Sequence, residues 1–521
     1  MSDYNFGEIF MGFDKESEMT ILDEFIPVIE NTFIDQPMST EELPTFAESR
    51  DKLPKPIWDN HKDYIDCYWR AWELAFKNLR RPHENTGFVS NFIDTAFDGC
   101  TFMWDSVFML MFGKYADRIF KFQGTLDNFY SHQHDDGFIC RQIDAVTGKD
   151  MFTRWDPSAT GPEIMAWCEW EYFLNFGDIE RLKRVFPVLL SYHRFLRQTH
   201  TWPDGTYFSS GWGCGMDNLP RQQKGYSEPF SHGHMIWVDA CAQALYDCRV
   251  LIKMAETLGK NEYIKELDDE AELLFDVINK KLWDEETGFY YDLWKNGEFN
   301  FVHHAGAFWN LLAETVPDDR AERFISTLDD EKLFKTPNRV PCLEKNNSEY
   351  ESTGGYWCGG VWAPTNYMIL KGLDKYKKYD LSHIIAMEHL YAVVEVFKDT
   401  NTVFENYAPE FVNNGRPSQG KPAMKDFVGW TGISPISILF EFVFGVKPDA
   451  GSNKIIWDVT LLEKHGIEQY PFKTDGELTL ICDERKSQDE KPEITFKSNI
   501  PLELEIIWGS ENNKQSMILK S

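Results

Sequence analysis

The chain has 521 residues, 42% of them hydrophobic and 26% charged, a composition that places it among folded globular proteins of one large core or several domains. Its formal net charge of −31 excludes the basic surfaces that bind nucleic acid or an anionic membrane. With 18 Trp, 21 Tyr and 40 Phe it carries a surplus of large rings, whose faces suit the C–H faces of sugars as well as a core.

The N-terminus, MSDYNFGEIFMGFD, shows neither a basic n-region nor an apolar h-region, and no run approaches eighteen apolar residues. Ten cysteines are scattered without a CxxC pair, as in a reducing compartment. A cytoplasmic protein without metal or cofactor is expected. Residues 1–60 read as an acidic, Pro-containing arm or small leading element that closes at Leu53-Pro54-Lys55-Pro56.

From 61 to 446 the pattern is helical. Trp237, Cys241, Ala244, Leu245, Cys248, Leu251, Ala255 and Leu258 recur at three- and four-residue spacing, with Gly259 placed to end that helix. Similar stripes run over Leu182–Leu196 and Tyr263–Leu282. Between helices a turn, a glycine and an aromatic recur, as in Asp136-Gly137-Phe138, Asp204-Gly205-Thr206-Tyr207 and Thr287-Gly288-Phe289. Helix hairpins that return to one end of a ring make an α/α toroid. After 446, Lys454–Leu461, Glu477–Cys482, Glu493–Lys497 and Leu502–Trp508 read as strands of a small β-sandwich over 447–521. The expected architecture is mainly α, an (α/α)6 toroid with a C-terminal β-sandwich domain.

Four segments concentrate chemistry. Trp104-Asp105 stands before an apolar helix, where Asp105 reads either as its N-cap or as a hydroxyl-holding carboxylate beside a stacking ring. Gly211-Trp212-Gly213-Cys214-Gly215-Met216-Asp217 sets a carboxylate on a Gly-rich loop among apolar groups that raise its pKa. Gly354 to Pro364 holds Trp357 and Trp362 among four glycines at a helix start. Phe404-Glu405-Asn406-Tyr407 puts a glutamate between aromatics at the end of a helix, and Gly429-Trp430-Thr431-Gly432 follows. Two carboxyl groups in aromatic loops are what glycosidic hydrolysis needs, one to protonate the leaving oxygen and one to activate water or attack. Arg154, Arg221 and Arg416 lie near these loops and read equally as substrate ligands or as partners of surface acids. His232-Gly233-His234 and His303-His304 lack a carboxylate at ligand spacing, so packing or sugar contact outweighs metal binding.

The order of these segments resembles glycoside hydrolase family 63 and its relative, the family 37 trehalases, over roughly residues 100–435. Gly215 to Arg221 is similar to the family's GLDDYPR-type motif, which implies that Asp217 is the general acid. Phe404 to Tyr407 is similar to the loop that carries the general base, which implies that role for Glu405. Trp104, Asp105, Trp212, Trp357 and Trp362 correspond to substrate-contacting positions, and Arg221, Tyr407 and Trp430 complete the expected binding set. The resemblance implies an inverting, exo-acting α-glycosidase, with an α-glucosidase on a short oligosaccharide or glycoside as the leading expectation. No PGGRF or QWDxPNGWxP segment occurs, which disfavours a trehalase proper. The alternatives are a sugar epimerase or unsaturated-uronide hydrolase on the same toroid, and a carbohydrate-binding protein without catalysis. The expected partner is a carbohydrate substrate, with no nucleic acid and no membrane.

Overall fold

Helices fill the chain between residues 62 and 443: α1 Lys62–Lys77, α2 Met103–Gly113, α3 Gly124–Tyr130, α4 Met165–Phe176, α5 Ile179–Thr199, α6 Val238–Leu258, α7 Ile264–Val277, α8 Trp309–Leu312, α9 Asp318–Ser326, α10 Ala363–Lys375 and α11 Tyr379–Thr400, followed by a π-helical segment Ser434–Val443. The computed structural model describes residues 30–95, 99–415, 422–509 and 513–519.

Sequence separates two kinds of helix. In α2 all eleven residues are buried, and α4, α8, α10 and 434–443 are nearly so. A helix that is apolar all round must be enclosed by other elements. These helices and α6 pack in succession, α2 on α4, α4 on α6, α6 on α8, α8 on α10, α10 on 434–443, and 434–443 back on α2. The amphipathic helices lie outside. In α7 only Leu267, Glu270, Ala271, Leu274 and Val277 are buried, and that stripe rests on α6. Likewise α5 lies on α4 and α6, α11 on α10, and α1 on 434–443.

Tight turns join the hairpins. Gly177 ends α4 at φ +65°, and Asp178 then caps α5 by accepting the Arg181 N–H at 2.9 Å. Gly259 ends α6 at φ +70°, as its position in the pattern implies.

The β-rich remainder forms two four-stranded sheets. One has the order β4 (Val446–Asp449), β5 (Lys454–Asp458), β9 (Leu502–Trp508), β10 (Asn513–Leu519), with β5 and β9 parallel. The other runs β1 (Lys55–Ile57), β6 (His465–Phe472), β7 (Gly476–Cys482), β8 (Ile494–Ser498), all antiparallel. Alternation is clear on β7, where Leu478, Leu480 and Cys482 point inward. The N-terminal arm therefore does not stop short of this module. Lys55, Pro56 and Ile57 pair with Glu468, Ile467 and Gly466, and Pro56 is tolerated because β1 is an edge strand. Buried Trp58 locks the crossing, donating to Glu463 Oε2 at 3.2 Å and packing edge-on to Phe444. The module seats on the helices through Trp457 Nε1 to the Phe444 carbonyl (2.7 Å) and Asn175 Nδ2 to the Pro471 carbonyl (3.0 Å).

All ten cysteines are unpaired thiols. Among the described residues no helix is long and apolar enough to cross a membrane.

Candidate active site

The site is assembled from helix starts and interhelical loops. A short ladder, β2 (Cys100–Phe102) against β3 (Gln142–Asp144), delivers the chain into α2, and the Met103 N–H donates to the Arg141 carbonyl at 2.8 Å. The residue at the helix N-cap is Phe102, not Asp105. Asp105 lies inside the first turn with its carboxyl buried. Desolvation raises it well above the usual carboxylate range, and the neighbouring Asp217 and Glu405 charges add to the rise.

Asp217 is placed by the Gly-rich loop. Ser210 caps the short turn Gly211–Cys214 by accepting the Gly213 N–H at 3.0 Å, and Gly215 ends it at φ +79°. A Cβ on Gly215 would stand 2.9 Å from the Trp104 ring, so only glycine lets the loop lie against that indole. Asn218 ties the loop to the next one: its Oδ1 accepts the Trp357 N–H at 2.8 Å and its Nδ2 donates to the Gly355 carbonyl at 3.2 Å. Tyr356, held at φ +62°, donates its hydroxyl to Asp217 Oδ2 at 3.1 Å.

Glu405 comes from the opposite flank. Helix α11 closes at Asn401 in the left-handed region, so Glu405 belongs to the loop beyond the helix rather than to its last turn. Its backbone N–H donates to the Met424 carbonyl (2.9 Å), the Met424 N–H donates to Glu405 Oε2 (3.3 Å), and Trp430 Nε1 donates to the Glu405 carbonyl (2.7 Å).

These loops enclose a cavity of about 520 Å³. Asp217 and Glu405 both line it, together with Asp105, Trp104, Trp212, Trp357 and Trp430. Three other sequence candidates stand behind the wall. Trp362 lies flat against Trp357, centroids 3.9 Å apart at 3°, and braces it. The Tyr407 hydroxyl accepts the Phe404 N–H at 3.1 Å and holds the Glu405 loop from within. Arg221 is fully enclosed, paired to Asp239 (2.7 and 3.0 Å) and Asp292 (2.8 and 2.5 Å) with its plane over Trp237. Its charge is spent within the fold. Arg154 pairs with Asp136, and Arg416 lies outside the described residues.

Two lining residues escape a reading by motif. Arg141 spreads over Phe152 (4.5 Å) and Trp212 (5.4 Å), with the Asp217 and Asp105 charges nearby. Its segment, Cys140-Arg141-Gln142-Ile143, carries no glycine or tryptophan to mark it, and only the β2–β3 pairing brings it to the site. Tyr356 lies within the Gly354–Pro364 segment, overshadowed there by its tryptophans.

Burial raises Asp217 to about 6, against the opposing pull of Arg141 and the Tyr356 hydroxyl. Burial and the Asp217 charge raise Glu405 to about 7. Near pH 6.5 the pair therefore holds about one proton, which is what an acid and a base acting together require.

The histidine pairs are packed. His232 sits between Trp202 and Phe208, His303 bonds the Tyr291 hydroxyl at 2.7 Å, and buried His304 faces Asp292 at 3.5 Å. A separate buried cluster joins His193 to Glu163 (2.9 Å), Asp247 (3.4 Å) and Glu270 (3.2 Å). Against the cost of burial, the Cys248, Glu270 and Glu163 charges push the His193 imidazole well above its usual range, and Arg197 lies 3.0 Å from Glu270.

Comparison with known proteins gives the family. A protein of Borreliella burgdorferi is 24% identical over 454 residues, covering 84% of this chain and 91% of its own. The cytosolic neutral trehalase of Kluyveromyces lactis is 30% identical over 142 residues, 26% of this chain and 19% of its own. A family 63 mannosylglycerate hydrolase of Thermus thermophilus, solved with glucose, superposes with TM-score 0.57 at 20% identity, covering 71% of this chain and 99% of that one. The model of the mannosylglycerate hydrolase MGH1-like glycoside hydrolase domain matches residues 100–423, more than half of the chain. With paired carboxyls in an aromatic cavity and that match across most of the loops that build it, the chain belongs to the MGH1-like glycoside hydrolases of family 63.

Proposed function

We propose that this glycoside hydrolase is an inverting, exo-acting α-glycosidase, with Asp217 as general acid and Glu405 as general base. The observation that carries the reading is the convergence of these two carboxyls, from loops far apart in sequence, on one aromatic cavity. Asp217 protonates the glycosidic oxygen while Glu405 draws a proton from a water on the opposite face of the sugar. That water bonds to the anomeric carbon as the C–O bond to the leaving group breaks. Trp104, Trp357 and Trp430 stack on the sugar, and Asp105 holds its hydroxyls. An α-glucoside is the leading substrate, supported by the family 63 match and by the partial similarity to a trehalase.

On the same reading the closed succession of inner helices is an (α/α)6 toroid, the two C-terminal sheets form a sandwich, and the protein works in the cytoplasm. Family membership and the cavity's paired carboxyls favour hydrolysis over epimerisation or mere binding.

Leaving-group dependence tests the roles. Asp217→Asn should retain turnover of α-glycosyl fluorides, whose leaving group needs no proton, while losing about 10²–10⁴-fold on unactivated glycosides. Glu405→Gln should lose both. Equal losses of Asp217→Asn on every leaving group would remove the acid role from Asp217.

A further inference from the structure

An acid that protonates the glycosidic oxygen fixes where the leaving group lies, on the Asp217 side of the cavity. From that side an apolar strip leads out to solvent. Trp212 lines the cavity five residues before Asp217, and Phe152 packs edge-on to it at 6.0 Å. Phe230 packs edge-on to Trp212 at 4.5 Å, yet remains 45% exposed. The strip is rigidly backed, since the Gly211 and Trp212 N–H groups donate to the Glu228 and Pro229 carbonyls at 3.0 Å each. Met151, on the same loop as Phe152, lines the mouth at 47% exposure, and Trp155 further along is 63% exposed. Exposed rings and thioethers in continuity with a cavity mark a binding surface rather than core.

Charge beside the strip narrows the ligand. Exposed Glu228, Glu349 and Glu351 all bear on Cys358, whose thiol contacts the Asn218 carbonyl next to the acid. Carboxylates accept bonds from hydroxyl groups and repel a second carboxylate. The cation at hand is Arg141. Its Nε donates to the Ser158 carbonyl at 2.5 Å, its plane covers Phe152 and Trp212, and Asp217 and Asp105 face its charge.

Given hydrolysis by Asp217 and Glu405 as proposed above, we propose that the Trp212–Phe230 strip binds a neutral oligosaccharide leaving group of at least two sugar rings, and that the glutamates beside it exclude anionic aglycones such as glycerate. The nearest ring stacks beside Trp212 and the next on Phe230. This chain thereby differs in leaving group from the mannosylglycerate hydrolase whose fold it shares.

The test compares kcat/KM on α-linked neutral di-, tri- and tetrasaccharides, on the glycerate α-glycoside of the same sugar, and on an aryl α-glycoside as control. Wild type should gain about tenfold from di- to trisaccharide and favour the trisaccharide over the glycerate glycoside by at least that factor. Phe230→Ala should cancel the gain and leave the aryl glycoside within about twofold. Equal or faster cleavage of the glycerate glycoside, or an equal loss in Phe230→Ala at every length, overturns the proposal. Calorimetric binding of the intact trisaccharide to Asp217→Asn protein reads the strip without turnover, and should weaken about tenfold when Phe230→Ala is added. An aryl glycoside left uncut by wild type would instead count against the hydrolytic assignment.

Discussion

Asp217 and Glu405 share a low-dielectric cavity, and each feels the cost of burying charge. With Asp217 near 6 and Glu405 near 7, the first proton leaves Asp217 more readily, so the arrangement the proposed roles require, Asp217 protonated and Glu405 ionised, is the lesser form of the singly protonated pair. One unit of separation makes it about a tenth of that population. The pH dependence of kcat/KM should be a bell with limbs near 6 and 7. Below it both groups are protonated and the base is lost; above it both are ionised and the acid is lost. A flat profile across pH 5–8 would contradict the pairing. Tyr356 sharpens the point, because its hydroxyl bonds the ionised form of Asp217. Tyr356→Phe should move the lower limb upward, toward the upper one, an effect that mere loss of packing would not produce.

At the scale of elements, glycines and enclosed charges set the loops that carry these groups. Gly215→Ala forces an L residue to φ +79° and pushes a methyl into Trp104, and should cost more than about 1 kcal/mol of stability while lowering kcat/KM. Arg221→Met leaves Asp239 and Asp292 buried without their cation. It should destabilise by about 3–5 kcal/mol in denaturant unfolding. Normal stability with a raised KM would return Arg221 to the substrate. Proximity in sequence suggested that substrate role, and burial is what sequence could not supply. The periodic helices were legible because a stripe such as Trp237 to Leu258 has one solution, and Gly259 ends it where the pattern stops. Asp217, Glu405 and the four cavity tryptophans were legible because Gly-rich aromatic loops have few structural explanations. Arg141 was not, since a strand pairing alone carries it to the cavity.

For the whole molecule, the unforeseen feature is the return of the N-terminal segment to the C-terminal sheet. β1 has three residues and one inward side chain, too little for a period-two signal, and Pro56 disguises it as a linker. The pairing ties the segment before α1 to the C-terminal module. Removing residues 1–60 should bare the β6 edge and delete buried Trp58, giving a protein that aggregates on mild heating. Trp58→Ala alone should cost about 3–5 kcal/mol yet leave kcat unchanged at a temperature where the protein stays folded. Unaltered solubility after the deletion would mean that the strand is dispensable. The strands of the C-terminal module itself were largely legible, with 454–458, 476–482, 494–498 and 502–508 all foreshadowed by β-rich runs. The bulged β6 was not, because its register shift breaks the alternation.

The most direct measurement is proton NMR of the first minutes of hydrolysis across α-glucosides, α-mannosides and α-galactosides. The β-anomer of the released sugar should appear before mutarotation equilibrates it, with wild type and not with Glu405→Gln. Initial release of the α-anomer would contradict inversion by Asp217 and Glu405.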